Sequence, residues 1–444
     1  EPEAQKLFAH VAVFSGRFTA EAANTVAGEV DLARLVSANL LRQEGSRYEM
    51  LEVLREYAME RLSQSGDLVN TQRLHGFYYR DYLEAADPYL TGGRQASWYI
   101  DLEEAHHNLR TALDWSLKQQ EYDTAGRIAA VIWRLWLVHS HLNEGFQRLG
   151  EVLQIQNHLS DRVRARVLRG MARLHYFRAN YARSEALVQQ SLALFRAVGD
   201  KEGETVCVME LGEIKWFQGE YAQAERFFSE TLALMENPRS SGRLMDNLGN
   251  VARILGNYHD AEMFYRESLE AEQANGSPEG RARVLNNLAE MLRAQNKNAE
   301  AIPLYNESLE IYRQLDIPYG VAGVLLNIAA AERELGNYQR VVDLSLDTLS
   351  LLRELDEPDL IVAALIGLAG AFQRLDDMNR AVRLCAAIGA LIQAGDLTLE
   401  ETDQAEFDRT TAAIRADGRT WSGVQAQGRA MSLEQVLADA LGSA

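Results

Sequence analysis

Asparagine stands at 247, 287 and 327 and arginine at 253, 293 and 333, so two hydrogen-bonding side chains return together at one 40-residue spacing. Asn offers both donors and acceptors, and Arg offers a planar fork suited to carboxylate or phosphate. Arg243, Arg283, Asn250 and Glu290 lie close by in the chain. If units of this period stack, the three arginines come into register as a local positive lane, a chemistry that fits an anionic ligand or a peptide carboxylate. The same pattern also reads as a structural ladder, with Asn bonding a neighbouring turn and Arg pairing with Glu290 or Glu334, because repeats copy structural residues as readily as functional ones. On the ligand reading, exchanging Arg253 and Arg293 for Ala weakens effector binding with little change in unfolding. Earlier in the chain Tyr176, Phe177, Trp216 and Phe217 supply rings that could stack on a sugar or aromatic ligand or serve the core.

Other reactive chemistry is hard to assemble. The chain has no Gly-x-x-x-x-Gly-Lys-Ser/Thr phosphate loop, no His-Glu-x-x-His, no nucleophile elbow and no dinucleotide fingerprint. Two histidine groups, His106-His107 and His139-Ser140-His141, invite a metal reading, but adjacent positions on a helix do not converge and the sequence indicates no carboxylate partner. Neither a catalytic nor a metal residue is expected. The two cysteines, Cys207 and Cys385, are far apart, which suits a reducing cytosol.

What would position the Asn and Arg series is a repeat. A small residue followed twelve positions later by another small or β-branched one recurs as Ala172/Ser184, Gly212/Ala224, Gly249/Ala261, Ala289/Ala301, Ala329/Val341 and Ala369/Ala381. Between the members of each pair lies a turn such as Gly219-Glu220-Tyr221, Gly256-Asn257-Tyr258 or Gly336-Asn337-Tyr338, where Gly or Asn tolerates the left-handed conformation that ends a helix. Apolar residues return at three and four on both sides, so each unit is a helical hairpin whose first helix would line an inner wall. Phe228, Tyr265 and Tyr305, four residues after the second small position, are expected to wedge between neighbouring hairpins. In hairpins one, five and six, Val188, Ser345 and Cys385 replace that ring. Spacing, turn and ring together resemble tetratricopeptide repeats of the 40-residue kind.

Bulk properties agree with a binding protein. A chain of 444 residues with seven prolines exceeds one compact core, and a net charge of −19 argues against a phosphate-backbone footprint. The apolar stretch from Ile128 to Val138 is too short to span a bilayer and contains Arg134. The chain opens on Glu1 without a leader-like segment, and reads as a piece of something larger.

Residues 1–66 follow another pattern: a helix near Ala4 to Phe14, a turn at Ser15-Gly16, helices from Thr19 and from Asp31 to Leu41, then strands at Leu40 to Gln43 and Arg47 to Met50 around Gly45, and a helix after Leu51. This describes a small winged-helix module. The helix from Asp31 to Leu41, which would be the recognition helix, carries only Arg34 as a base before Arg42, which is poor equipment for reading DNA. Residues 67–160 read as a helical linker domain with Trp98, Trp115, Trp133 and Trp136 as core. Residues 161–395 hold the six hairpins, and 396–444 hold a helical end cap with helices at Glu401 to Ala416 and Ser432 to Leu441, the latter opened by a Ser432/Gln435 capping box.

Val13-Phe14-Ser15-Gly16-Arg17-Phe18, the run Tyr48 to Ala58, Asn108-Leu109-Arg110 with Trp115, and His141-Leu142-Asn143-Glu144-Gly145 resemble the sensor arm of bacterial signal-transduction ATPases with numerous domains, of the transcription-regulator type. The resemblance implies a nucleotide-binding domain upstream and an output domain at one end. ATP or ADP would be bound there, with no cofactor in this stretch. Family members often carry Met-His-Asp where this chain has Met50-Leu51-Glu52, so the family's nucleotide-holding His is absent here and only the carboxylate remains. The expected architecture is therefore an all-α tetratricopeptide-repeat superhelix behind a winged helix. The expected function is cytoplasmic and regulatory. Its partners are a protein, peptide or small-molecule effector and the nucleotide domain, without direct nucleic-acid or membrane contact. A free-standing peptide-binding adaptor or quorum-peptide receptor is the alternative, and a helical hydrolase or phosphatase the remote one.

Overall fold

The computed structural model describes residues 2–28, 31–90, 95–138, 141–238, 241–353, 358–394, 399 and 401–442. They form two units, Glu1–Pro238 and Arg239–Ala444.

The first unit opens with α1 (Pro2–His10), β1 (Phe18–Thr19), α2 (Ala20–Ala27), α3 (Leu32–Ser37), β2 (Arg42–Glu44), β3 (Arg47–Glu49) and α4 (Glu52–Ser65). Asp31 caps α3 through Arg34 N, but α3 stops at Ser37, four residues short of the expected Leu41. Leu40 and Leu41 instead turn back to hydrogen-bond the Leu35 carbonyl. The two expected strands are joined by a third: β1 pairs with β3, giving the antiparallel order β1-β3-β2. Two residues are too few for any alternation to announce β1 in advance.

Next come α5 (Leu68–Ala86), α6 (Gln95–Glu104), α7 (His106–Lys118), α8 (Tyr122–Val138) and α9 (Leu142–Gln154). Helix α5 touches α2, α4, α7 and α8, so one hydrophobic core runs from Phe8 to Ile214 through this region. Trp133 and Trp136 are buried in it and Trp115 is buried against Gly76 of α5, while Trp98 stacks on Tyr89 at its edge. Hairpins α10 (Asp161–Phe177) with α11 (Tyr181–Val198) and α12 (Lys201–Phe217) with α13 (Tyr221–Leu234) complete the unit.

The second unit holds four hairpins: α14 (Gly242–Ile254) with α15 (Tyr258–Ala274), α16 (Pro278–Ala294) with α17 (Asn298–Gln314), α18 (Pro318–Glu334) with α19 (Tyr338–Leu352), and α20 (Pro358–Arg374) with α21 (Met378–Ala394). After them α22 (Glu401–Ala416) packs on α20 and α21, and α23 (Ser422–Arg429) and α24 (Leu433–Ala440) pack on α21. The Ser432/Gln435 capping box opens α24; α23 has no counterpart among the expected helices.

All six hairpins turn alike. Ala179, Gly219, Gly256, Asn296, Gly336 and Asp376 have φ between 53° and 82°. The following residue sends its N–H back five positions, as from Asn180 to the His175 carbonyl and from Asn337 to the Glu332 carbonyl. This six-to-one bond uses carbonyls that the helix end leaves unpaired. In the first hairpin the left-handed residue is Ala179, not Asn180, whose side chain caps α11.

The rings at 228 and 265 lie against the first helix of their own hairpin, and Tyr265 also shares a buried cluster with Val284 and Met291 of the next one, as a wedge between hairpins should. A Cβ on Gly212 would stand 2.5 Å from the Phe228 ring, and one on Gly249 would stand 2.6 Å from Tyr265. Small residues at those positions therefore make room for the ring. A further cross-tie has the same period: Ser191, Ser268 and Ser308 donate to the carbonyls of Ala165, Gly242 and Ala282 at 2.7–2.8 Å. Ser184, at a small position, likewise donates to the carbonyl of its paired Ala172.

Candidate functional site

In the second unit the recurring polar residues do fall on successive first helices. Asn247, Asn250 and Arg253 come from α14, Arg283, Asn287 and Arg293 from α16, and Asn327 and Arg333 from α18; all are half-buried, while Arg243 on α14 is exposed. Bonds between neighbouring first helices tie these levels together. Arg283 pairs with Asp246, to which Asn287 also donates at 2.9 Å. Asn327 donates to Asn286 at 2.9 Å.

Arg293 grips Glu290 with both prongs and reaches Glu334 at 3.1 Å. Glu290 also accepts from Tyr305, and Asn250 accepts from Tyr265 at 2.9 Å. Arg333 lies 3.8 Å from Glu406 of α22, across a cleft of about 140 Å³ that also includes Tyr338, Gln373 and Arg409.

The expected positive lane is therefore neutralised where it forms. Asp246 is fully buried, and burial raises its carboxyl above the usual range despite the Arg283 guanidinium beside it. Glu290 is held below its usual range: burial pushes it up, but the Arg293 and Tyr305 hydrogen bonds outweigh that. Periodicity picked out the arginines, but it could not show carboxylates at 246 and 406, which do not follow the 40-residue step. The Nε of Arg253 is buried without a hydrogen-bond partner, and this side chain sits in the field of Asp246 and Glu290. A cavity of about 610 Å³ beside Arg313, Ile317 and Asp347 includes none of these residues.

The first unit, taken by itself, has pairs of the same kind between its first helices. Arg169 and Arg173 on α10 reach Glu210 and Glu213 on α12 at 3.0 Å. Nothing in the sequence reading singled these out, although their separations of 41 and 40 residues match the later pairs. Tyr176, Phe177 and Phe217 do come together, joined by Tyr181, which stacks on Phe217 at 5.6 Å. Phe177 and Phe217 are half exposed, and the Arg173 guanidinium lies 4.5 Å from the Tyr176 ring centre. Trp216 turns instead to Tyr221 of its own hairpin.

Two clusters near α7 were not anticipated. Asn108, fully buried, receives the Ser15 N–H at 2.8 Å, bonds His75 at 3.2 Å and donates to the Arg17 carbonyl at 2.9 Å. Nearby, Glu103, His106 and His141 place one ligand-type atom each within 4.8 Å of one another. This corrects the expectation that the histidine groups cannot converge and lack a carboxylate. His106 and His141 come from different helix ends, and Glu103 and Glu144 flank them. His107 points elsewhere, its Cβ near Gly16, and His139 and Ser140 lie outside the described residues. In the N-terminal module Leu51 is exposed, and Glu52 is held by a two-pronged bond from Arg55 that keeps its carboxyl below the usual range.

Comparison with known proteins bears on these arrangements. A family described as Tetratricopeptide repeat matches residues 143–237 and 240–314, so the all-α repeat fold stands. A Mycobacterium tuberculosis protein named as an HTH-type transcriptional regulator is 30% identical over 217 residues, 44% of this chain but only 24% of that protein. The match thus spans about a quarter of the relative's length. Among solved structures, a signal-transduction ATPase with numerous domains and a tetratricopeptide repeat sensor from Pyrococcus horikoshii shares the fold with TM-score 0.57 and 12% identity, covering 93% of this chain and 63% of that one. A Rap protein complexed with Competence and Sporulation Factor has TM-score 0.52 and 10% identity, covering 81% and 100%.

Proposed function

We propose that this chain is the effector-binding sensor region of a cytoplasmic regulatory ATPase that controls transcription, and that it binds without catalysing a reaction. The observation that carries the proposal is the ladder of half-buried Asn, Arg and carboxylate groups on α14, α16 and α18, cross-bonded between successive first helices. Tetratricopeptide repeats, a relative named as a transcriptional regulator and a fold like that of a signal-transduction ATPase sensor support it. The four helices and small sheet of residues 2–65 serve as a winged helix that relays the sensor's state, and ATP or ADP is bound by a domain outside this stretch.

The ladder selects the kind of effector. Because carboxylates already neutralise its arginines, a small anion would have to displace one of them. A protein segment or extended peptide gains instead from many paired donors and acceptors along a preformed wall. Such an effector shifts the regulatory equilibrium only by its different affinity for the two states.

The test uses the intact 444-residue chain to select binders from a random peptide library, followed by titration calorimetry. Asn327→Ala combined with Arg333→Ala removes two groups with few internal bonds, and should weaken selected peptides about tenfold, roughly 1.4 kcal/mol, with unchanged circular dichroism. Equal affinity for the double variant would remove the wall from the account. The fold shared with a Rap protein complexed with Competence and Sporulation Factor supports the adaptor reading, a peptide receptor without an ATPase.

A further inference from the structure

We propose that Glu103, His106 and His141 form a zinc site that clasps the junction of α6, α7 and α9. Glu103 lies in the last turn of α6, His106 opens α7 after the break at Ala105, and His141 precedes the first residue of α9. Three separate helix ends thus deliver one ligand each. Glu103 Oε1 lies 3.9 Å from His106 Nδ1 and 3.6 Å from His141 Nε2. Around a tetrahedral zinc with bonds of 2.0–2.2 Å, ligand atoms stand about 3.3–3.5 Å apart. The two histidines bring their ligand atoms within 4.8 Å of each other, so side-chain adjustments of up to about an ångström close the site.

The outer contacts suit a metal as well. The far nitrogen of His106, Nε2, is buried without a hydrogen-bond partner and lies 3.8 Å from Glu144 Oε2. Zinc-bound histidines characteristically donate the other ring N–H to a carboxylate, which fixes the ring and raises its basicity. Glu144 is itself held by Arg110, so it serves as that outer partner and Glu103 is the ligating carboxylate. Two imidazoles and one carboxylate leave a fourth position for water, a donor set that suits zinc over calcium or magnesium.

The experiment starts from the purified chain stripped by a chelator. Addition of Co²⁺ should give about one equivalent of bound metal with the visible absorption of a four-coordinate site, and Zn²⁺ should displace it. Zinc should also raise the unfolding temperature. His141→Ala and Glu103→Gln alter side chains that are over a third exposed, and should preserve the fold. Each should weaken zinc binding at least about tenfold and abolish the thermal shift. Failure of the folded wild-type chain to take up stoichiometric Co²⁺, or unchanged zinc affinity in both variants, would overturn the assignment.

Discussion

At the scale of single residues, the most consequential side chain is one that periodicity passes over. Asn108 satisfies the Ser15 amide, the Arg17 carbonyl and His75 at once, and does so with no solvent contact. Asn108→Leu would strand those groups and should cost about 2–4 kcal/mol in urea unfolding. Its neighbour gives a pH signature. Burial pushes His75 down to about 4 from its ordinary 6.5. Between those values the unfolded chain takes up the proton more readily than the folded one. His75 is therefore no burden above pH 6.5, and it removes stability progressively as pH falls towards 4, by up to about 3 kcal/mol. His75→Gln keeps a donor for Asn108 and should flatten this part of the stability profile; an unchanged slope would show that His75 does not titrate in that window.

Arg293 belongs to the same scale. The early expectation that its loss spares stability no longer holds, because Glu290 would remain mostly buried without its cation. Arg293→Ala should destabilise by about 2 kcal/mol, a figure discounted for partial exposure of the pair. A binding defect in that variant alone would therefore say little about contact with an effector. Sequence pattern located Arg293 and both of its partners, Glu290 and Glu334, since Glu290 lies three residues before it and Glu334 one repeat on.

At the scale of elements, the hairpin was readable because its signals are local. Small residues twelve apart, an apolar three-four rhythm and a turn residue all lie within one unit, and six turns adopt the same left-handed step. Substitutions here have definite signs. Ala179 holds that step without the freedom of glycine, so Ala179→Gly should stabilise by about 0.5–1 kcal/mol, seen as a higher melting temperature. Gly249→Ala would drive a methyl into the buried Tyr265 ring and should cost about 1–3 kcal/mol. The two-residue strand β1 and the early end of α3 were not readable, since both depend on chain segments that meet only after folding. The serine cross-ties at 191, 268 and 308 were present in the sequence at the repeat's own register, seven positions after the second small residue, and could have been found there.

At the scale of the whole molecule, a net charge of −19 and a wall whose arginines are paired with carboxylates favour a protein or peptide effector over a phosphate backbone. No described helix is long and apolar enough to cross a membrane. The candidate wall was legible as two residue types in register, while its neutrality was not, because Asp246 and Glu406 come from outside the register. The most direct test of the sensor reading is hydrogen–deuterium exchange on the chain with and without a peptide selected for binding. Slowed exchange concentrated in α14, α16 and α18 is the predicted result. Slowed exchange confined to α15, α17 and α19, or to residues 2–65, would contradict it.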